Sequence, residues 1–299
     1  MRFQARLGAT RGALLAGLLA LVLSACSDAP DLPPPSPALW HVTGDGGAEA
    51  YLFGTAHSLP AGTRWRTREM EAAFAACDTL VVEVSALTAP QEMRAIFSRL
   101  ATTPGQPPLA ERVSPEERPL IARVMAAKGL RDADYAEMET WAVALALSRL
   151  AEEGSGANGV DLALLKDAGR KRVVELEGAE RQLALFDALP QAEQADLLEA
   201  VARELDHGAS AGEQDHRLRA WITGDLAGLE EETRHGLLAD PELREALLVR
   251  RNADWAERLD QLLRGGGSAF VAVGAAHLVG PDGLPELLAA RGYTVRRVQ

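Results

Sequence analysis

Cysteine and aromatic residues are scarce in this sequence. Its 299 residues include 2 Cys, and Phe, Trp and Tyr together make up 5%. Cys26 lies next to an N-terminal leader, so only Cys77 lies within the globular part of the chain. Neither an intramolecular disulfide nor a metal site built from thiolates is therefore expected.

Basic residues are outnumbered by acidic ones. The chain has 31 Lys and Arg against 43 Asp and Glu, which gives a net charge of −12 at pH 7. A protein with this charge repels the phosphates of nucleic acids and of anionic lipids. We therefore expect no nucleic-acid partner, and any association with a membrane must have another cause.

The N-terminus is typical of a bacterial lipoprotein. Residues 1–25 contain three arginines and no acid, and their apolar run from Ala13 to Leu23 is too short to span a bilayer. The sequence Leu-Ser-Ala-Cys ending at Cys26 matches the lipobox, whose cysteine is acylated and becomes the mature N-terminus. The residue after Cys26 is Ser27 rather than Asp, which favours sorting to the outer membrane. The domain is then expected to face the periplasm. The alternative is an ordinary secretory signal followed by a chance cysteine.

A short proline-rich segment follows the leader. Residues 26–38 include five prolines, a composition that predicts an extended and semi-rigid tether. We expect one folded domain, residues 39–299, held off the membrane by this tether.

Short apolar runs alternate with helical patterns along the domain. Runs such as Thr79–Val84 and Val173–Glu177 are rich in Val and Leu, which is typical of buried strands. Helical patterns fill about residues 90–158 and 180–264. This succession predicts an α/β fold with a mostly parallel central sheet, flanking helices and a large helical insertion.

Two distant stretches share one pattern, an apolar strand that ends at Gly-x-x-His. They are Tyr51–His57, with its glycine at Gly54, and Ala269–His277, with its glycine at Gly274. Glycine lets the backbone turn sharply or approach another group closely at a strand end. Because the carboxyl ends of parallel strands meet at one edge of a sheet, we expect the two histidines to share a site there. The alternative is that each imidazole only bonds a neighbouring carbonyl group.

Charged residues at other element ends are candidates for the same site. Glu83 ends an apolar strand, Glu177 ends another, and Asp161 begins a helix after a glycine-rich stretch. Arg251 lies near the start of a late amphipathic helix. Each also has a simpler explanation, since a strand-end Glu can reach water, Asp can cap a helix and Arg can lie on a helix surface.

These residue types fit a catalytic metal centre. Two imidazoles and one carboxylate, from His57, His277 and Glu83, leave positions open on a divalent ion, as catalysis requires. Such an ion acidifies water and polarises a carbonyl, while Asp161 or Glu177 moves the proton. Arg251 would clamp a substrate carboxylate or stabilise an oxyanion. Nitrogen and oxygen donors do not select among Zn, Mn and Co.

The motifs together resemble a known family. They are, in chain order, Leu39-Trp40, Leu52–His57, Val82-Glu83, Gly159–Asp161, Leu176-Glu177, Gln182, Arg251-Asn252, Trp255, Val273–Gly280 and Gly292-Tyr293. This order resembles the TraB/GumN family, which is similar to the Tiki proteases, the erythromycin-esterase-like enzymes and the ChaN haem-binding lipoproteins. The resemblance implies an α/β fold like that of the last two groups. In Tiki-like members the paired Gly-x-x-His motifs and the early glutamate are associated with metal-dependent proteolysis.

The sequence therefore favours a membrane-tethered, metal-dependent hydrolase that acts on a peptide or protein. A lipoprotein that binds haem or another ligand without catalysis is one alternative. An esterase-like enzyme that uses a histidine as base without a metal is the other. Metal content separates the first from the third, and a Soret absorption band identifies the second.

Overall fold

The computed structural model describes residues 32–151, 158–207 and 211–299. The predicted leader and Cys26 lie outside the described residues, so both stay predictions. Across the described ranges, no helix is both long enough and apolar enough to cross a membrane.

A six-stranded sheet forms the centre of the fold, in the order β4-β3-β5-β2-β1-β6. β2, β5, β3 and β4 run parallel to one another, whereas β1 is antiparallel to both of its neighbours. The prediction of an α/β fold with a mostly parallel sheet is confirmed. The strands are β1 (Leu39–Thr43), β2 (Glu49–Thr55), β3 (Thr79–Val82), β4 (Arg172–Glu175), β5 (Ser268–Gly274) and β6 (Thr294–Arg297).

The central strands are apolar because both of their faces are covered. Phe53 and Phe270 lie in the hydrophobic core on one face of the sheet, and Leu52 and Val271 lie in the core on the other face. All four are fully buried. Strands buried on both sides need nearly continuous hydrophobic residues, which explains why their pattern is readable from the sequence.

Helices surround the sheet and also build a separate lobe. Two excursions of the chain, one after β3 and one after β4, form this helical lobe around its own core, which includes Trp141, Leu197 and Leu247. Both excursions begin at the carboxyl ends of their strands, so the lobe adjoins that edge of the sheet. The helices are α1 (Arg68–Ala76), α2 (Pro90–Ala101), α3 (Arg118–Lys128), α4 (Thr140–Ala151), α5 (Val160–Lys166), α6 (Ala179–Asp187), α7 (Gln191–His207), α8 (Ala211–Thr223), α9 (Leu226–Glu232), α10 (Pro241–Arg244), α11 (Arg250–Arg264) and α12 (Leu284–Ala289).

The end of the predicted tether packs against the domain. The backbone N–H of Ser36 donates to the carbonyl of Ile222 at 2.7 Å, and the carbonyl of Pro37 accepts from the side chain of Gln299 at 2.9 Å. Gly224 lies against this segment with φ +64°, and a Cβ there would be 2.6 Å from the Ser36 carbonyl oxygen. Residues 36–38 therefore belong to the folded domain.

Gly224→Ala tests this docking, with Gly129→Ala as its control. Gly129 has nearly the same φ of +66°, but nothing lies within 4 Å of the position that an added methyl group would take. We expect the control to lose roughly 1–2 kcal/mol of unfolding free energy from backbone strain alone, and Gly224→Ala to lose about 2 kcal/mol more from the clash. Denaturant melts measure both, and equal losses would contradict the docking.

Candidate functional site

Three adjacent strands deliver the predicted metal ligands to one edge of the sheet. His57 follows β2, His277 follows β5 and Glu83 follows β3, and β5 lies between the other two strands. Their side chains meet at Gly274, where a Cβ would lie 3.6 Å from His57 Nε2, 3.4 Å from Glu83 Oε1 and 3.6 Å from His277 Cδ2. Any two of these three atoms are therefore at most about 7 Å apart, since each lies within 3.6 Å of the same point. Gly274 has no side chain, which leaves a space between them.

His57 is oriented by a buried carboxylate. Its Nδ1 donates to Asp161 Oδ2 at 2.9 Å, and Asp161 Oδ1 accepts from the hydroxyl of Thr55 at 2.6 Å. The charge of Asp161, followed by this hydrogen bond, raises the pKa of His57 to about 9. Because 67% of the imidazole is exposed, screening by water weakens the attraction. The bond leaves Nε2 directed toward Gly274.

His277 is held in one tautomer by Asn252. The amide nitrogen of Asn252 donates to the carbonyl of Asp282 at 2.8 Å, so its oxygen faces His277 and accepts from Nδ1 at 2.5 Å. Nδ1 must then carry the proton, which leaves the lone pair on Nε2. Burial lowers the pKa of His277 to about 3, so the ring is neutral. The ring also packs on Trp255, with 4.3 Å between centroids.

Glu83 is an ionised carboxylate in a buried position. Its Oε1 accepts from the backbone N–H of Gly274 at 2.8 Å, and its Oε2 accepts from Arg251 Nη2 at 2.9 Å. Burial by itself would raise the pKa of Glu83, but His277, His57, Arg251 and the Gly274 N–H lower it to about 2. Because His277 is neutral at pH 7, the charges of Arg251 and His57 sustain this effect there.

Arg251 connects the carboxylates of the site. Its Nε and Nη2 form two bonds with Glu177, at 2.8 and 2.9 Å, and Nη2 also donates to Glu83. Nη1 donates to the Leu247 carbonyl at 3.0 Å and lies 3.4 Å from His277 Nε2. The side chain is 11% exposed. Within the described structure every N–H of Arg251 faces a protein acceptor, so this geometry supplies no free donor for the predicted substrate clamp.

Glu177 is enclosed by two side chains. Besides the two bonds from Arg251, its Oε1 accepts from the indole N–H of Trp255 at 3.0 Å, and the carboxylate side chain is 5% exposed. A carboxylate held on both oxygens is poorly placed to move a proton. Asp161, which contacts His57 directly, is the better placed of the two predicted acids.

The side chains of the site are of the types that bind a divalent metal. Among the described residues, no group of three His, Cys, Asp or Glu side chains already has the spacing of a metal site. Both histidines nevertheless have Nδ1 held by an acceptor, as metal-binding histidines usually do. Nε2 of His277 is bare, whereas Nε2 of His57, whose pKa is raised to about 9, carries a proton at pH 7 that a metal must displace. For a metal to bind, Arg251 must withdraw from His277 Nε2.

The charges of the site also leave room for a cation. The side chains of Glu83, Glu177 and Asp161 are 5–8% exposed, and Arg251 supplies one positive charge among them. Three carboxylates against this guanidinium and the protonated His57 leave one negative charge uncompensated. A metal that displaced the proton of His57 would meet two, which a divalent ion balances.

Comparison with known proteins agrees with these motifs, because residues 38–297 match the TraB/PrgY/gumN family model. The chain belongs to the TraB/PrgY/gumN family. It is 26% identical over 257 residues to a Shigella flexneri protein named "Uncharacterized protein YbaP". The aligned residues make up 83% of this chain and 90% of the relative. The protein of the same name from Escherichia coli K12 is 26% identical over 216 residues, 71% of this chain and 76% of the relative. No solved structure matches the chain.

In this TraB-family chain, the sequence indicated no chemical role for Asn252, which orients His277, or for Thr55, which bonds to the Asp161 carboxylate. Asn252 is completely buried and lies on the apolar face of α11 with Trp255, Ala256 and Leu259. A polar residue in such a stripe must find a buried partner, so the spacing of α11 was the available signal. Thr55, the last residue of β2, gave no comparable signal.

The three tyrosines and His41 make contacts outside the candidate site. His41 bonds to Glu49 at 2.8 Å and stacks on Tyr51. Tyr293 donates to Asp260 at 2.9 Å, and Tyr135 packs against the core of the helical lobe. These contacts add no support for a tyrosine-bound haem, and they make His41 a suitable control histidine for variants of the site.

Asn252→Leu tests the tautomer of His277 in metal-free protein. We expect the ¹⁵N shifts of wild-type His277 to show a protonated Nδ1 and a bare Nε2, and the variant to populate the other tautomer. Thr55→Val, which removes a contact to Asp161 instead, is expected to leave His277 unchanged. A wild-type ring with its proton on Nε2 would refute the assignment.

Arg251→Met tests the buried ion cluster. The variant leaves Glu83 and Glu177 without their cation, and we expect a loss of roughly 3–5 kcal/mol in unfolding free energy. The neighbouring Arg250 is 72% exposed, so Arg250→Met is expected to cost less than about 1 kcal/mol. Denaturant melts compare the two, and equal stability of both variants would argue against a structural role for the cluster.

Proposed function

We propose that this TraB-family protein is a membrane-tethered, metal-dependent hydrolase that cleaves peptide bonds. The convergence of His57 Nε2, Glu83 Oε1 and the His277 ring on the space beside Gly274 carries the proposal. These three side chains would hold the ion, and Cys26 would carry the lipid anchor. The similarity to Tiki proteases supports peptides as substrates.

A divalent metal, when bound there, supplies a Lewis acid that polarises a carbonyl and makes water acidic near neutral pH. Zn, Mn and Co all suit imidazole and carboxylate donors. The residues of the chain prepare the site for it. Asp161 and Asn252 fix the two imidazoles through Nδ1, so both rings present Nε2.

The remaining charged residues keep distinct tasks. Asp161 contacts His57 and can accept a proton only through that ring, so it is primarily a positioning residue. Arg251 keeps Glu83 ionised and directed at Gly274, while Glu177 holds Arg251. Water reaches the site at His57, because Glu83 and His277 are buried.

A second candidate is a metal-independent hydrolase in which the pair of His57 and Asp161 acts as general base once His57, whose pKa is raised to about 9, has lost its proton. Its support is the exposed imidazole bound to a buried carboxylate, an arrangement that recurs in nucleophilic and general-base catalysis. Activity that survives a chelator yet disappears in His57→Ala would favour this candidate.

Ligand replacement tests the proposed metal site. His57→Ala, Glu83→Gln and His277→Ala are each expected to lose bound metal and peptide hydrolysis together, whereas His41→Ala keeps both. Asp161→Asn, which keeps the three ligands but loses the carboxylate that orients His57, is expected to lose roughly 10–100-fold in metal affinity or turnover. Metal stoichiometry, cleavage of a peptide library and a thermal melt are measured for every variant.

The melts identify variants that lose metal only because they unfold. A His277→Ala protein that is folded, carries a full complement of metal and cleaves peptides at the wild-type rate would end the metal-hydrolase proposal.

A further inference from the structure

The chain enters the domain at the same edge of the sheet that carries the site. Leu39 pairs with Phe53 near the carboxyl end of β2, so the residues before Leu39 extend past that end, toward His57. Helix α8 contacts both neighbours there. The Trp221 indole donates to the carbonyl of Gly54 at 2.9 Å, and the next residue, Ile222, accepts from the Ser36 N–H.

The site also opens on this side. Glu83 and His277 are each 6% exposed, whereas the side chain of His57 is 67% exposed. β2, which carries His57, is next to β1, while the helical lobe is built from chain that leaves β3 and β4. The solvent-accessible mouth of the site therefore lies at β2, beside the strand into which the tether leads.

The tether is too short for the opposite side of the domain to face the membrane. Leu32 packs against the core that contains Phe53 and Leu59. Six residue steps separate Leu32 from Cys26, and at roughly 3.3–3.6 Å per step they span at most about 22 Å. A domain of this length has a radius of gyration of about 18 Å, so its diameter exceeds that reach.

We infer that the mature protein stands on the membrane with the His57 side of its site facing the lipid headgroups. Its substrates are then polypeptides held at the membrane surface, which enter beside His57, rather than peptides free in solution. The orientation rests on the proposed lipid anchor at Cys26, and the substrate class rests also on the proposed hydrolase activity.

Energy transfer to the bilayer tests the orientation. A donor dye is attached at Ala61→Cys, in the exposed loop after His57, or at Asp45→Cys, in the exposed turn at the opposite end of β2. Cys77 stays unlabelled because it is buried, and an acylated Cys26 has no free thiol. The full lipoprotein is placed in vesicles of phosphatidylethanolamine and phosphatidylglycerol that contain an acceptor lipid.

We expect stronger transfer from position 61 than from position 45, since the ends of the seven-residue strand β2 are roughly 20 Å apart. Equal or reversed transfer would overturn the orientation. A 30-residue Gly/Ser spacer inserted after Ser27 is expected to abolish the difference. A difference that persists with the spacer would show that the short tether is not its cause, which also overturns the inference.

Two further measurements separate the premises. The intact mass of the mature protein and its flotation with vesicles test the anchor, with Cys26→Ser as the control. A protein without acyl chains would defeat both the anchor and the orientation.

For the substrate class, we expect a vesicle-anchored peptide to be cleaved at least about tenfold faster than its soluble copy, and the spacer variant to lose this preference. Equal cleavage by the wild type would contradict the substrate class, while failure to cleave either peptide would count against the hydrolase and leave the energy-transfer result standing.

Discussion

The site depends on the ion pairs that the buried guanidinium of Arg251 forms with two carboxylates. The guanidinium bonds to Glu177 and Glu83 at once, and through Glu83 it reaches the backbone N–H of Gly274 at the end of β5. One cation thereby joins α11, the segment after β4 and the edge of the sheet. It neutralises only part of the acidic charge around it, so the same cluster that stabilises the fold keeps an attraction for a further cation.

The order of the strands turns this local chemistry into one site. β5 comes late in the sequence, yet in the sheet it lies between β2 and β3, which come early. His277 therefore arrives between His57 and Glu83, with Gly274 providing the gap. The helices that follow β4 return the chain as α11, which supplies Arg251 and Asn252. A π-helical turn, Glu245–Val249, ends two residues before Arg251, and such turns are frequent at functional sites.

Much of this arrangement could be predicted from the sequence because it depends on local patterns. Buried parallel strands are continuously apolar, so β2, β3 and β5 were recognisable, and their ends located His57, Glu83 and His277. The partners inside the cluster were not predictable. That Arg251 bonds Glu177 depends on how a distant helix packs, and the docking of residues 36–38 depends on long-range contacts that a proline-rich composition does not reveal.

Anomalous diffraction from crystals grown with manganese tests the central claim most directly, because it locates the ion independently of activity. The account predicts one strong peak beside Gly274, within bonding distance of His57 Nε2, His277 Nε2 and a Glu83 oxygen, with Arg251 withdrawn from His277. A peak elsewhere, or none at this position at saturating manganese while Arg251 keeps its place, would contradict it.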